Sequence, residues 1–268
     1  MPTKNTKSTS NQSPEYIARK AFFEQMITVY GRKPVVEILQ NRDLAIHRVH
    51  LATSNKDSQI IKQIKSLASA REIELVFHNR SELSRISRNS KQDQGVACDV
   101  YCPSFLSYRQ LLDKFNPADK KKPFYLIALD GVTNPQNLGM IIRSVTASPS
   151  QGLLLASKGN ANISSLVIKA SAGTIFKSNI VRCDELLEAL KDFQANGFKL
   201  CTLSSHNATP ITDFKLEEPT IFILGNESEG VSQHIAKICD YRIAIPMENN
   251  VESLNVAVAA SLVAFGNY

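Results

Sequence analysis

From residue 124 onward the chain alternates short apolar blocks with longer amphipathic stretches. The blocks at 125–129, 152–156, 179–182, 198–203, 220–224 and 241–245 are four to six residues long and almost uninterrupted. Such blocks predict strands buried on both faces. Between them, residues 136–147, 164–176, 184–195, 231–238 and 253–265 carry apolar positions at helical spacing. Strands alternating with helices predict a parallel sheet covered on both sides. The last helix is apolar nearly all round, which predicts burial.

The first half has a weaker rhythm. Residues 15–29 read as a short helix, broken at Tyr30-Gly31-Arg32-Lys33-Pro34. Pro34 suits the first turn of a helix running to about Leu39. Strands are predicted at 47–52, 73–77 and 95–101. A helix is predicted from Asp57, its expected N-cap, through Ile60, Ile61, Ile64 and Leu67, and a shorter one over 81–86. These elements make one small α/β domain over residues 30–102, preceded by a polar tail and short helix over 1–29. Residues 103–123 form a linker with one amphipathic helix (Phe105, Tyr108, Leu111, Leu112, Phe115) ending in the polar run 118–122. The remainder, 124–268, is the larger domain.

Composition narrows the class. The chain of 268 residues is 43% hydrophobic and 21% charged, ordinary values for a globular protein. No stretch reaches the ~18 apolar residues needed to span a bilayer. The polar tail reads as a cytosolic one, so the expected location is cytoplasmic. The five cysteines include no C-x-x-C pair, so neither a disulfide framework nor a metal site is expected. Charge is uneven. Residues 1–120 carry 19 basic and 12 acidic side chains, whereas residues 121–268 carry 12 and 13. The excess suits a polyanion-binding module joined to a neutral catalytic one, or equally a solvated surface.

In parallel sheets ligands bind beyond the carboxyl ends of the strands, and three strand-to-loop junctions hold the candidate chemistry. The first, residues 129–143, contains Asn134, Gln136, Asn137, Gly139 and Arg143; Asn137 and Arg143 are both expected near one end of the sheet. The second, residues 221–230, runs Leu224-Gly225-Asn226-Glu227-Ser228-Glu229-Gly230. The third joins Ile245-Pro246-Met247 to Ser253-Leu254-Asn255, with Ser253 as the expected helix cap. No G-x-G-x-x-G or P-loop pattern occurs, which argues against a dinucleotide oxidoreductase and against Rossmann-type methyltransferases.

Taken in this order, N-x-x-N-x-G-x-x-x-R, L-G-N-E-x-E-G and I-P-M…S-L-N-V-A-V-A closely resemble the three signature motifs of the SpoU (TrmH-type) RNA methyltransferases of the SPOUT superfamily. Tyr30-Gly31…Val35-Val36-Glu37-Ile38-Leu39 and Asp93-Gln94-Gly95-Val96 resemble that family's RNA-binding module. The branch most like it methylates ribose in large-subunit (23S-type) ribosomal RNA. Ser228 stands where Gly is more usual, and Asn134 and Gln136 replace a frequent Asp and His, departures that bear on substrate choice.

The resemblance implies a deep trefoil knot in the parallel-sheet domain, S-adenosyl-L-methionine as cofactor, and a homodimer that completes the site. It implies catalytic roles for Asn137 and Arg143, with Glu227, Ser253 and Asn255 orienting Arg143 or the nucleotide. Gly225, Ile245 and Leu254 would contact the cofactor, and Leu224, Asn226, Pro246 and Met247 would line its pocket. Arg80, Arg85, Arg88 and Lys91, around the segment beside Gln94-Gly95, are expected to meet RNA phosphates. A transfer-RNA substrate, or an inactive RNA-binding or ribosome-assembly protein, are the competing readings.

Overall fold

The computed structural model describes residues 25–116, 124–204 and 208–266, together with Glu15, Phe22 and Phe23. The tail and the polar run 118–122 lie outside these residues.

The first sheet has four strands. In chain order its elements are β1 (Met26–Tyr30), α1 (Arg32–Gln40), β2 (Ile46–Ala52), α2 (Gln59–Ala70), β3 (Glu74–His78), α3 (Arg80–Ser87) and β4 (Val96–Tyr101). The spatial order is β1-β4-β2-β3. β4 runs antiparallel to β1 and β2, and β3 parallel to β2. Ile27, Val29, Val49, Leu51, Val96, Cys98 and Val100 pack on one face against Val35, Leu39, Ile61 and Ile64 from α1 and α2. Removing those side chains from water contributes about 1.5–3 kcal/mol each.

β1 corrects the end of the expected helix over 15–29; Glu15, Phe22 and Phe23 are helical, while 26–29 are strand and 16–21 and 24 lie outside the described residues. In β1, Ile27 and Val29 alternate with Thr28 and pair with β4. Beta-branched residues at alternate positions fit a pleat better than a helical turn. A second correction concerns α2. Ser58, not Asp57, occupies the cap position and makes no side-chain cap bond. Asp57 instead faces Lys62 at 3.9 Å and Lys65 at 3.8 Å.

The second sheet has eight strands, all parallel. Its elements are β5 (Leu106–Ser107), α4 (Tyr108–Lys114), β6 (Tyr125–Leu129), α5 (Pro135–Ala147), β7 (Gly152–Ala156), α6 (Ser165–Ala170), β8 (Ile180–Cys183), α7 (Leu186–Ala195), β9 (Lys199–Leu203), β10 (Thr209–Pro210), β11 (Thr220–Leu224), α8 (Gln233–Ala236), β12 (Tyr241–Ala244) and α9 (Val256–Ala264). The order is β10-β12-β9-β11-β6-β7-β8-β5.

Alternation along each strand divides the core. Ile127, Leu129, Leu153, Leu155, Phe222 and Leu224 face α5, α6 and α9. Leu126, Ala128, Leu154, Ile221 and Ile223 face α4, α7 and α8, where Phe193 and Phe198 stack edge to face at 4.9 Å. The expected helix over 164–176 is split, because Ala172 and Gly173 take left-handed backbone (φ 51° and 75°) before a single 3-10 turn, Thr174–Lys177. Gly173 tolerates that conformation without strain. α9 is not buried all round. Val256, Ala260 and Val263 face the core, while Val258, Leu262 and Phe265 stand exposed. A helix with apolar residues on every side needs cover on every side, and one chain supplies half of it.

Candidate active site

β6 and β11 lie side by side with Leu129 opposite Leu224, so their carboxyl ends open together. The chain leaving β6 turns into α5, whose entry is fixed by Asn134. Its side chain accepts from Gln136 N (2.8 Å), and Pro135 begins the helix. The chain leaving β11 folds back on itself. Asn226 and Gly230 exchange two backbone bonds of 3.0 and 2.9 Å. A Cβ on Gly225 would fall 1.9 Å from the Gly230 carbonyl carbon, so only glycine permits this fold-back.

The two loops are stitched together. Asn226 Nδ2 donates to Gly131 O (3.0 Å), Asp130 Oδ2 accepts from Ser232 N (2.8 Å), and Asp130 N donates to Leu224 O (2.9 Å).

Asn137 is the meeting point of all three junctions. It sits in the first turn of α5 and is only 6% exposed. Its Nδ2 donates to Glu227 Oε1, and its Oδ1 accepts from Asn255 Nδ2 at 3.1 Å. Asn255 Oδ1 in turn accepts from Ala257 N (2.9 Å), which makes Asn255 the cap of α9. Ser253, expected to cap, lies two residues before the N-cap, exposed and without a hydrogen bond among the described residues. The choice follows from tertiary contact: Asn255 both caps and reaches Asn137. Glu227 leaves its carboxylate at the surface, turned toward the loops.

Arg143 is elsewhere. Six residues beyond Asn137, it points about 120° away around the helix and lies about 9 Å along it. It is exposed on the stripe that includes Met140, with no hydrogen bond or ion pair among the described residues. One chain therefore does not bring Arg143 onto the polar cluster.

The residues expected to hold a cofactor lie on two segments. Leu224 is buried, while Gly225 and Asn226 are half-exposed at the tip of β11. Ile245, Pro246, Met247 and Leu254 belong to the irregular segment after β12, which sits two strands from β11. Asn249 and Asn250 turn that segment through left-handed backbone (φ 56° and 58°). Among the described residues, Val251 N to Glu248 O (3.2 Å) is its one internal backbone bond. Neither Met247 nor Leu254 makes a backbone–backbone hydrogen bond among the described residues. An opening of about 620 Å³ lies elsewhere. It lies at the amino ends of β10 and β12, lined by Thr209, Phe214, Tyr241 and Arg242.

Sequence reasoning missed Asn160. Its Oδ1 accepts from Val132 N (2.9 Å), its Nδ2 donates to Leu129 O (3.1 Å), and the next residue bonds Val132 O. It therefore clamps the first loop from the β7 side. The available signal was an amide in the polar stretch after β7, useful only once β7 is known to neighbour β6.

In the small domain, Arg85, Arg88 and Lys91 are exposed and without partners among the described residues. Arg80 is committed instead. It meets fully buried Asp93 at 3.2 Å and donates to Ser90 O. Asp93 also accepts from Ser87 Oγ and Gly95 N, both at 2.9 Å, and so organises the whole turn. Arg32, not among the residues expected to meet RNA, bonds Gln94 O and Asn55 across the same loop.

Comparison with known proteins shows the family and the fold. Residues 125–265 match the sequence model of the SpoU rRNA methylase family, and residues 28–104 match that for RNA 2′-O ribose methyltransferase substrate binding. An uncharacterized tRNA/rRNA methyltransferase of Mycobacterium avium is 30% identical over 240 residues, 90% of this chain and 76% of that protein. The crystal structure of the SpoU methyltransferase AviRb from Streptomyces viridochromogenes, with AdoMet, has 22% identity and a TM-score of 0.59, covering 95% of this chain and 92% of its own. An AdoMet-bound rRNA methyltransferase from Sinorhizobium meliloti has 20% identity and a TM-score of 0.60, covering 97% and 95%.

Proposed function

Because the chain belongs to the SpoU rRNA methylase family, we propose that this RNA methyltransferase transfers a methyl group from S-adenosylmethionine to a ribose 2′-hydroxyl. Large-subunit ribosomal RNA is the proposed substrate. The observation that carries the reading is the convergence of three loops on Asn137, through Glu227 and Asn255, at the carboxyl ends of β6 and β11. A transfer-RNA substrate is the alternative; the match over 28–104 supports an RNA substrate of either kind.

Gly225, Ile245 and Leu254 would hold the cofactor, with Leu224, Asn226, Pro246 and Met247 lining its pocket, and it would supply a methyl already activated by its sulfonium. The protein's task is then to orient the ribose hydroxyl and stabilise its loss of a proton. Orientation alone accounts for a large part of such a barrier, roughly 7–11 kcal/mol at best. Asn137, Glu227 and Asn255 form the rigid polar floor for that task. Arg143 carries a charge that stays protonated, so its proposed role is to bind a substrate phosphate and polarise the hydroxyl.

Arg143 makes no hydrogen bond or ion pair with its own chain's cluster among the described residues, and this supports a two-subunit site. Met140 on α5, Val258 and Leu262 on α9 and Phe265 just after it form an exposed apolar strip beside it. The helices are joined by Ser261 Oγ to Ser144 Oγ at 2.8 Å. A homodimer burying this strip would bring Arg143 to the partner's loops. The knotted threading belongs to the same reading: after β12 the chain returns from two strands away to reach α5.

The test is incorporation of radiolabelled methyl from S-adenosylmethionine into large-subunit ribosomal RNA, beside transfer RNA. Label in ribosomal RNA alone supports the reading. Label in transfer RNA alone reverses the substrate, and cofactor binding without label in either RNA sinks it.

A further inference from the structure

The segment expected to link the two domains is built into both. Leu106–Ser107 forms β5, the edge strand beside β8, with Leu106 opposite Val181 and Ser107 opposite Arg182. Ser107 and Gln110 then form a capping box that starts α4 at once. On the other side, Cys102 N donates to Gln25 O at 2.6 Å, tying the end of the small sheet to its beginning. Between these points Ser104 Oγ donates to Ser178 O (2.7 Å), and Phe105 is fully buried. Apolar packing runs without a break from the small sheet through Cys102 and Phe105 into the large one.

Arg182 closes the arrangement. From β8 its guanidinium donates to Met26 O, the first residue of β1, at 3.2 Å. It also lies over the Phe105 ring, 4.7 Å from the centroid. A guanidinium that stacks on an aromatic while donating to a carbonyl fixes both direction and distance.

We propose that Arg182 is a positioning residue that locks the small domain to the catalytic sheet, so that the enzyme methylates at a fixed offset from the RNA held by the small domain. The substrate class follows: a structured RNA long enough to touch both domains at once, not a short strand bearing the target nucleotide alone. This rests on the proposed RNA methyltransferase activity. Locked domains gain avidity only for such spanning ligands, because the second contact is made at a fixed effective concentration.

The experiment uses the full chain with Cys239→Ser and spin labels at Gln63→Cys and Lys191→Cys, exposed positions on α2 and α7, diluted in excess unlabelled protein so that only distances within one chain are read. The distance distribution is measured for wild type, Arg182→Lys and Arg182→Ala. Methyl transfer is measured on a long structured ribosomal RNA fragment and on a short oligonucleotide containing the methylated position. The expected result is a single narrow distance in wild type that broadens in Arg182→Ala. The KM for the long RNA then rises roughly tenfold, while kcat at saturating RNA, cofactor affinity and the short-oligonucleotide KM stay within twofold. Arg182→Lys falls between, since it keeps the donor and loses the planar stack. An unbroadened distribution in Arg182→Ala overturns the proposal, as does broadening with the long-RNA KM unchanged. If wild type methylates no RNA, the activity reading fails, while the distance measurement still decides the lock.

Discussion

Converting Asn137 to Asp replaces one amide nitrogen with oxygen and removes one hydrogen bond. The new carboxylate still accepts from Asn255 Nδ2, but the donor to Glu227 Oε1 is gone. Two carboxylates then face each other at hydrogen-bond range. At about 4 Å and an effective dielectric near 20 the repulsion is about 4 kcal/mol. Glu227 is exposed, so water and loop movement reduce this to about 1–2 kcal/mol. The lost charge-assisted bond contributes a similar amount. The expected destabilisation is therefore about 2–3 kcal/mol. Adding Glu227→Gln restores a donor and removes the repulsion, so the double variant should recover at least half of that loss. Chemical denaturation of the four proteins in the mutant cycle reads the coupling directly. Activity should follow a steeper course, because a misplaced hydroxyl costs ~10²-fold in rate. Additive effects, with no recovery in the double variant, would refute the claim that this bond joins the first two loops.

Arg143→Ala should leave the unfolding free energy unchanged within ±0.5 kcal/mol, since its side chain has no partner among the described residues, and should abolish methyl transfer through its proposed role; loss of stability would show an unrecognised structural role. Neutralising Arg85, Arg88 and Lys91 together should weaken RNA binding and flatten its dependence on log salt by up to ~0.7 per lost phosphate contact, measured by filter binding across a salt titration; an unchanged slope removes these residues from the RNA interface. Acid should destabilise the small domain in two windows. Burial, with neighbouring Arg48 and His50, holds His47 and His78 below the usual histidine value. Burial raises Asp99, but hydrogen bonds from His50 and Thr28 outweigh it and hold that carboxyl low. Depressed groups bind fewer protons folded than unfolded, so stability falls as pH drops through about 6.5 and again below about 4; a flat midpoint between pH 7.5 and 5 would contradict this. Burial pushes the Cys102 and Cys183 thiols up to about 12 and Cys239 up to about 11. At neutral pH a thiol reagent should therefore label native protein slowly, and all five cysteines rapidly after denaturation.

The parts of the fold legible in the sequence were those set by uninterrupted apolar blocks. Residues 125–129, 152–156 and 220–224 could bury both faces only in a parallel sheet, and they are strands with those bounds. Where the deciding contacts are distant, the pattern misleads. Met26–Tyr30 follows a helical-looking stretch, and only its pairing with β4 makes it a strand. The two-residue strands β5 and β10 are too short for any period to show. Ser253 and Asn255 are both good caps, and the position of Asn137, more than a hundred residues away, selects between them. Spacing put Asn137 and Arg143 in one neighbourhood, yet six helical residues turn them apart. Asn160 carried no motif, and strand adjacency alone reveals its purpose.

The most direct test of the central claim is the chemical position of the transferred methyl group. Ribosomal RNA methylated by the enzyme is digested in alkali and its products are separated and weighed. A ribose 2′-O-methyl group blocks cleavage at that nucleotide, so the account predicts one alkali-resistant dinucleotide carrying all the label, absent with Arg143→Ala. Label recovered on a base, in mononucleotides released normally by alkali, would contradict it.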